Sequence, residues 1–477
     1  MLFNSFHFLF YFIVVTTLYF SLPHKFRWFV LLMASCYFYM SFIPIYLLIL
    51  IFTIVIDYFA GIYLERFHGP PKKAFLIISL IANIGILAIF KYYNFINDNI
   101  STLLGIFHSK NQIPYLKIIL PIGLSFHTFQ AMSYTIEVYR GNQKAEKNFG
   151  IYALYVMFYP QLVAGPIERP QNLLHQFYEK HSFDFERVTR GLKLMLWGLF
   201  KKLVIADRLS IYVDSVYNNV HQHQSLTLIL ATVFFAFQIY CDFSGYSEIA
   251  IGSAQVMGFK LMTNFNRPYF SSSVSEFWKR WHISLSTWFS DYLYISIGGN
   301  RVSIPRWYFN LFFVFLVSGL WHGANWTFII WGALNGLYLI FEIIIKKSRS
   351  KLFGGIVKSK HEILNLSYVL LTFTLICFSW IFFRANNVSD AFYVIKKILN
   401  SSYGFYTGGW REIIYGIIGI FFLLIIERKQ VHDHLQKNLL PYHSGKLFNN
   451  QLFYIFLIIS IISFGVFDGG QFIYFQF

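Results

Sequence analysis

The sequence predicts an all-α, polytopic integral membrane protein of about 11–12 transmembrane helices, with re-entrant or interfacial helices between them. Three observations carry that expectation. The 477-residue chain is 56% hydrophobic and only 13% charged. Its mean hydropathy is +0.51. Apolar runs recur along the whole chain, many near the ~20 residues that cross about 30 Å of hydrocarbon. No water-soluble class has that composition. A soluble chain of this length would divide into several domains; here lipid covers the apolar surface, so residues 1–477 are expected to form a single membrane-embedded domain.

Taken in order, residues 6–22, 28–42, 45–64, 74–90, 118–138, 226–240, 308–320, 326–345, 364–383, 413–426 and 452–466 are apolar enough to span. The first lacks a basic n-region and an A-x-A-like cleavage site, so it reads as a retained span. Residues 151–167 contain Pro160 and the Ala164-Gly165-Pro166 break and predict a bent or re-entrant segment, whose freed backbone groups must be satisfied inside protein. Residues 192–211 are apolar yet carry Lys193, Lys201, Lys202, Asp207 and Arg208; they either cross or lie on the interface. Residues 258–306 are semi-polar and too long for a simple hairpin, which predicts short helices at the cytoplasmic face.

The net charge of +17 would suggest nucleic acid in a soluble protein. In a membrane protein the same excess marks cytoplasmic loops. Lys25 and Arg27, then Arg66, Lys72 and Lys73, then Arg140, Lys144 and Lys147, then 346–360 with Lys351, Lys358 and Lys360 share one side if residues 192–211 cross. Both termini then face the exterior of a bacterial cytoplasmic (inner) membrane. Lys396 and Lys397 fall in an assigned outer loop, which is long enough to tolerate charge. Cys36, Cys241 and Cys377 are widely spaced in apolar runs and suggest neither disulfides nor a thiolate metal site. His221-x-His223 and His432-x-His434 lack a third ligand, so no metal is expected.

Walker A, dinucleotide, H-E-x-x-H and G-x-S-x-G motifs are absent. The most informative stretch is Ser318-Gly319-Leu320-Trp321-His322-Gly323. An ionisable side chain between two spans is a functional candidate by default, and imidazole suits general-base work near neutrality. The competing reading is an interfacial histidine in a tight turn. In Glu276-Phe277-Trp278-Lys279-Arg280-Trp281-His282, a helix continuing through Leu285 would align Lys279 with Ile283, Glu276 with Arg280, and Trp278 with His282 and Leu285. Its basic, aromatic surface suits a phosphorylated, adenine-bearing donor, or the headgroups of anionic membrane lipids. Gln238, Asp242 and Tyr246 fall on one helical face; with His127 and Gln130 they line a polar passage, hold a partner histidine, or fix packed helices.

Together these residues are recognisable. Residues 123–139, Tyr159-Pro160-Gln161-Leu162-Val163-Ala164-Gly165-Pro166, Asp242-Phe243-Ser244-Gly245-Tyr246-Ser247, Asn266-Arg267-Pro268-Tyr269, 277–286, Gly298-Gly299-Asn300-Arg301 and Gly319-Leu320-Trp321-His322-Gly323 resemble the membrane-bound O-acyltransferase (MBOAT) family, in its AlgI-like polysaccharide O-acetyltransferase branch. The likeness extends to the final Phe472-Ile473-Tyr474-Phe475-Gln476-Phe477. The resemblance implies helices around a central funnel, His322 as the essential histidine and His282 as a second, cytoplasm-side one. It further implies acetyl-CoA as acyl donor with no resident cofactor. The basic and aromatic residues of 267–301, Lys279, Arg280, Arg267, Arg301 and Trp278, are then expected to shape the donor entrance, with Trp321 beside the funnel. The acceptor is then an exported polysaccharide, reached directly or through an extracytoplasmic SGNH-type partner. The alternatives are DltB-type transfer of D-alanine from a carrier-protein thioester toward teichoic acid, and a non-catalytic polymer-export channel.

Overall fold

The computed structural model describes residues 1–117, 120–163, 165–352, 362–400, 404, 406, 409–437, 451–467 and 472–473. Lys358, Lys360, Ala164 and Tyr474 to Phe477 lie outside the described residues. Those described are helical with no strand. Among the described residues, six helices are long and apolar enough to cross a membrane, Tyr46–Arg66, Pro70–Ile106, Ser225–Met257, Ile304–His322, Trp326–Lys346 and Asn365–Arg384, and Phe6–Ser21 and Gln451–Phe464 are shorter apolar helices. The chain is a multi-pass membrane protein.

Helices α1 (Phe6–Ser21), α2 (His24–Met40), α3 (Tyr46–Arg66) and α4 (Pro70–Leu87) follow one another across short connections. Ser5 caps α1 by accepting from the Phe8 amide, and α4 opens on Pro70-Pro71, where a missing N–H costs nothing. A π-helical turn, Ala88–Tyr92, joins α4 to α5 (Tyr93–Ile106). Helix α6 (Leu124–Arg140) starts later than residue 118, the boundary expected from hydropathy, because Gly123 is left-handed at its N-cap; Ile118 and Ile119 are outside the described residues. Residues 151–167 bend as Pro160 demands: α7 (Phe149–Met157) stops at Phe158 and α8 (Tyr159–Leu162) restarts. Then come α9 (Pro170–Leu173), α10 (Phe185–Phe200), a π-turn at Lys201–Ala206, and α11 (Asp207–Tyr217). The stretch 192–211 is thus helical throughout.

Helix α12 (Ser225–Met257) is the longest. The semi-polar segment then folds as α13 (Val274–Arg280), α14 (Ile283–Phe289) and a π-turn, Ser290–Tyr294. The single helix expected through Leu285 is not formed. Trp281 is extended, and His282 takes the left-handed conformation at φ 43°, which is costly for a residue with a Cβ. Helices α15 (Ile304–His322), α16 (Trp326–Leu352), α17 (Glu362–Arg384), α18 (Val388–Leu399), α19 (Trp410–Lys437) and α20 (Gln451–Phe464) complete the chain. Lys396 and Lys397, expected in a loop, form the last turn of α18. There their charge favours the helix dipole.

The fold groups into two compact units, one of Met1–Met195 with Tyr246–Met262, the other of Leu196–Gly245 with Thr263–Ile473. In the first, α3, α4 and α6 bury a polar cluster: Asp57 accepts from Ser79 (2.6 Å) and Asn83 (2.8 Å). In the second, α15 and α16 pack backbone to backbone. A Cβ on Gly319 would sit 2.3 Å from the Phe328 carbonyl oxygen, and one on Gly332 2.3 Å from that of Phe315. Small residues permit this approach where no hydrophobic force presses helices together in lipid.

Candidate active site

The glycine seam sets the place of His322. It is the last residue of α15, only 4% exposed, walled by the rings of Trp321 (4.9 Å), Trp331 (4.9 Å, at 88°) and Phe383 (5.4 Å). Gly323 follows because no side chain fits: its Cβ would fall 2.1 Å from the Phe328 ring.

A cavity of about 350 Å³ runs from this histidine. Its lining follows helical periodicity on three elements: Trp307, Leu311, Val314, Phe315, Ser318 and His322 on α15, His282, Leu285, Ser286, Phe289, Ser290 and Tyr294 along α14 and its π-turn, and Leu339, Glu342, Ile343 and Lys346 on α16. At 1.5 Å per residue, Trp307 to His322 is about 22 Å. The cavity is therefore a slot along the helices. His282 and His322 share one end. The other holds Tyr294 and Trp307, joined by a 2.8 Å hydrogen bond, with exposed Lys346, which pairs with Glu342; Glu342 also accepts from the Ser275 amide at 2.9 Å.

His282 is 1% exposed and stands edge-on to Phe243 at 4.5 Å. Burial pushes its imidazole down to about 3, so it is neutral at physiological pH. Both histidines can offer a lone pair to a proton. Both are almost fully buried, and in so low a dielectric a nearby charge would be felt more strongly than in water.

The remaining expected site residues are distributed as follows. Lys279 and Trp278 line the slot. Arg280 is paired with Glu276, Arg267 is buried against Asn266 (2.8 Å), and Arg301 is exposed; none of the three lines the slot. Asp242 touches no histidine. It accepts from Lys202 at 2.7 Å and from the Ile473 amide at 2.7 Å. Gln238 is buried on the same helix. In the first unit, Tyr246 stacks on Phe3 and bonds Asn4, His127 bonds Thr53 at 2.8 Å, and Gln130 donates to the Tyr155 carbonyl. Sequence reasoning missed Glu342, Lys346, Tyr294 and Trp307. Their signal was the seven- and eight-residue spacing along α15, α16 and the α14 stretch with its π-turn.

Fold and slot together define a class, the multi-pass membrane proteins with buried histidines lining a cavity between helices. The family model of the membrane-bound O-acyltransferases matches residues 146–383, which include both histidines. The chain is 39% identical over 406 residues to a protein of Pseudomonas aeruginosa named "Probable alginate O-acetylase AlgI", a match covering 84% of this chain and 75% of that one. It is 35% identical to the "Peptidoglycan O-acetyltransferase" of Helicobacter pylori, over 77% of this chain and 73% of the other. The "Teichoic acid D-alanyltransferase" of Bacillus subtilis is 24% identical over 58% and 71%. The chain belongs to the MBOAT family and is an acyltransferase.

Proposed function

We propose that the protein takes an acetyl group from acetyl-CoA at the cytoplasmic face and delivers it toward an exported polysaccharide, directly or through an extracytoplasmic SGNH-type partner. The observation that carries this reading is the slot: Lys346 beside Tyr294 and Trp307, Lys279 along its wall, and two histidines at its inner end, with Trp307 and His322 about 22 Å apart by helical rise. A pantetheine arm is a long thin chain with a phosphate-bearing nucleotide at one end and the thioester at the other. Lys279 and Lys346 would meet the phosphates, and Tyr294 and Trp307 offer an aromatic face to adenine. The thioester would then lie beside His282 and His322.

There His322 accepts the proton of the acceptor hydroxyl as its oxygen attacks the thioester carbonyl carbon. The carbon–sulfur bond breaks and the thiolate leaves with that proton. Acyl transfer onto the imidazole, followed by attack of the hydroxyl, uses the same geometry. A reading as D-alanyl transfer from a carrier-protein thioester shares the pantetheine arm, and is favoured only by the relatives of lower identity.

His322→Ala and His322→Gln test the assignment. Both should abolish transfer of radiolabelled acetyl from acetyl-CoA, by about 10²-fold or more, with membrane abundance unchanged. Glutamine keeps hydrogen-bonding capacity but takes no proton near neutral pH. Near-normal transfer by the Gln variant would make His322 a packing residue. Transfer from D-alanyl carrier protein but not from acetyl-CoA would select the second reading.

A further inference from the structure

We infer that the buried triad Lys202, Asp207 and Asp242 is a positioning device that clamps the segment Phe472-Ile473 against the histidine end of the slot. The π-turn Lys201–Ala206 makes it possible. Its wider winding turns two consecutive lysines toward α12, where Lys201 donates to Ser244 at 3.0 Å and Lys202 reaches Asp242 at 2.7 Å, while also holding Asp207 at 2.8 Å. All three triad side chains are at most 7% exposed.

Lys202 holds one oxygen of Asp242, Oδ1, and the other, Oδ2, accepts the peptide N–H of Ile473 at 2.7 Å. Hydrogen bonds to an ionised acceptor are about twice as strong as neutral ones. The bond is therefore a strong tether, and it seats Phe472, 0% exposed, with its ring 5.5 Å from Phe243. Phe243 in turn is the ring against which His282 stands. His282 has a left-handed backbone, so its position depends on what surrounds it. Tether, Phe472, Phe243 and His282 form one continuous stack. Lys202 and Asp242 touch neither donor nor acceptor; they act through Phe243.

This rests on the slot being the acetyl-transfer site, and the test separates the two claims. Three forms of the full-length protein in membranes are compared. Ile473→Pro removes the donor N–H but also fixes φ at 473 and restricts the backbone of Phe472, so it is read together with the two triples. Two charge-free triples differ at one residue: Lys202→Met/Asp207→Leu/Asp242→Leu has no acceptor for Ile473, whereas Lys202→Met/Asp207→Leu/Asp242→Asn keeps an acceptor oxygen. Neutral replacement of all three avoids stranding a buried charge. A benzophenone amino acid at residue 472 reports the clamp by cross-linking to α12, and kcat and donor KM report the site.

The expected result is that Ile473→Pro and the Leu triple lose the cross-link and about 10²-fold in kcat with donor KM unchanged. The Asn triple should recover both, at a thermal midpoint equal to that of the Leu triple. Equal kcat in the two triples, or an undiminished cross-link in Ile473→Pro and the Leu triple, would overturn the clamp. If the unsubstituted protein turned over no thioester, the proposed function would fall, and the cross-link would still decide whether residue 472 is clamped.

Discussion

His282 combines two costs in one residue, a left-handed backbone and an imidazole that burial holds at about 3. The second has a thermodynamic consequence. Below its ordinary value of 6.5, the unfolded chain binds a proton at this residue that the folded chain refuses until far lower pH. Stability must therefore fall as pH drops through that window, because the unfolded state binds more protons. His282→Gln should flatten the dependence of thermal midpoint on pH between 6.5 and about 5. An unchanged slope would show that His282 stays accessible to protons in the fold. Along the slot, Lys279→Gln/Lys346→Gln should raise donor KM with little change in thermal midpoint, since exposed charges seldom sustain a fold. Arg280→Gln should leave donor KM unaltered, its guanidinium being committed to Glu276. Equal effects of the lysine pair and of Arg280 would place the donor elsewhere.

At the scale of elements, the α15–α16 seam is the least forgiving contact near the site. Gly319→Ala puts a methyl where only 2.3 Å separates its position from a backbone oxygen, and backbone cannot rotate out of the way. The two helices must part, at a cost of about 1–3 kcal/mol, read as a lower thermal midpoint; an unshifted midpoint would mean that the seam is loose. Much of this level was legible in advance. Each of the eleven apolar stretches coincides with a helix, because a 20-residue apolar run has few other stable states in lipid. The break at Trp281 and His282 was not legible: no glycine or proline marks it, and tertiary packing around Phe243 and Phe265 overrides local propensity there. Helix α18 was missed for the opposite reason. It is short and amphipathic, and its start is signalled mainly by Asn387, which accepts from the Asp390 amide. Of the site, His322 and His282 stood out as rare ionisable groups among apolar neighbours. Glu342 and Lys346 did not, since a lysine at a helix end is common.

For the whole molecule, the distribution of Lys and Arg sets an orientation. Single cysteines placed at Lys72, Lys144 or Lys351, in a chain lacking Cys36, Cys241 and Cys377, should react with a membrane-impermeant reagent only from the cytoplasmic side. One placed at Asn4 should react only from outside. Labelling of residue 351 exclusively from outside would invert the topology, and would carry the lysine end of the slot with it. Orientation thus bears on the proposed function, because a charged donor such as acetyl-CoA would cross hydrocarbon at great cost and would have to meet the slot's lysines on the side where it is made.

The π-turn at Lys201–Ala206 is in effect one surplus residue wound into a helix that otherwise runs from Phe185 to Tyr217. Removing a single residue from it would let the backbone relax into regular α-helix, which the local sequence resists in no obvious way. The residue removed being the surplus one, the turns on either side would keep their phase, and what is lost is the wide turn that brings Lys202 within reach of both Asp207 and Asp242. A point substitution there alters one contact, whereas a one-codon deletion abolishes the bulge. The chain is thus expected to tolerate volume-conserving apolar replacements at the buried Leu203 and Ile205 and no shortening, an asymmetry that a deletion scan of this stretch would expose directly.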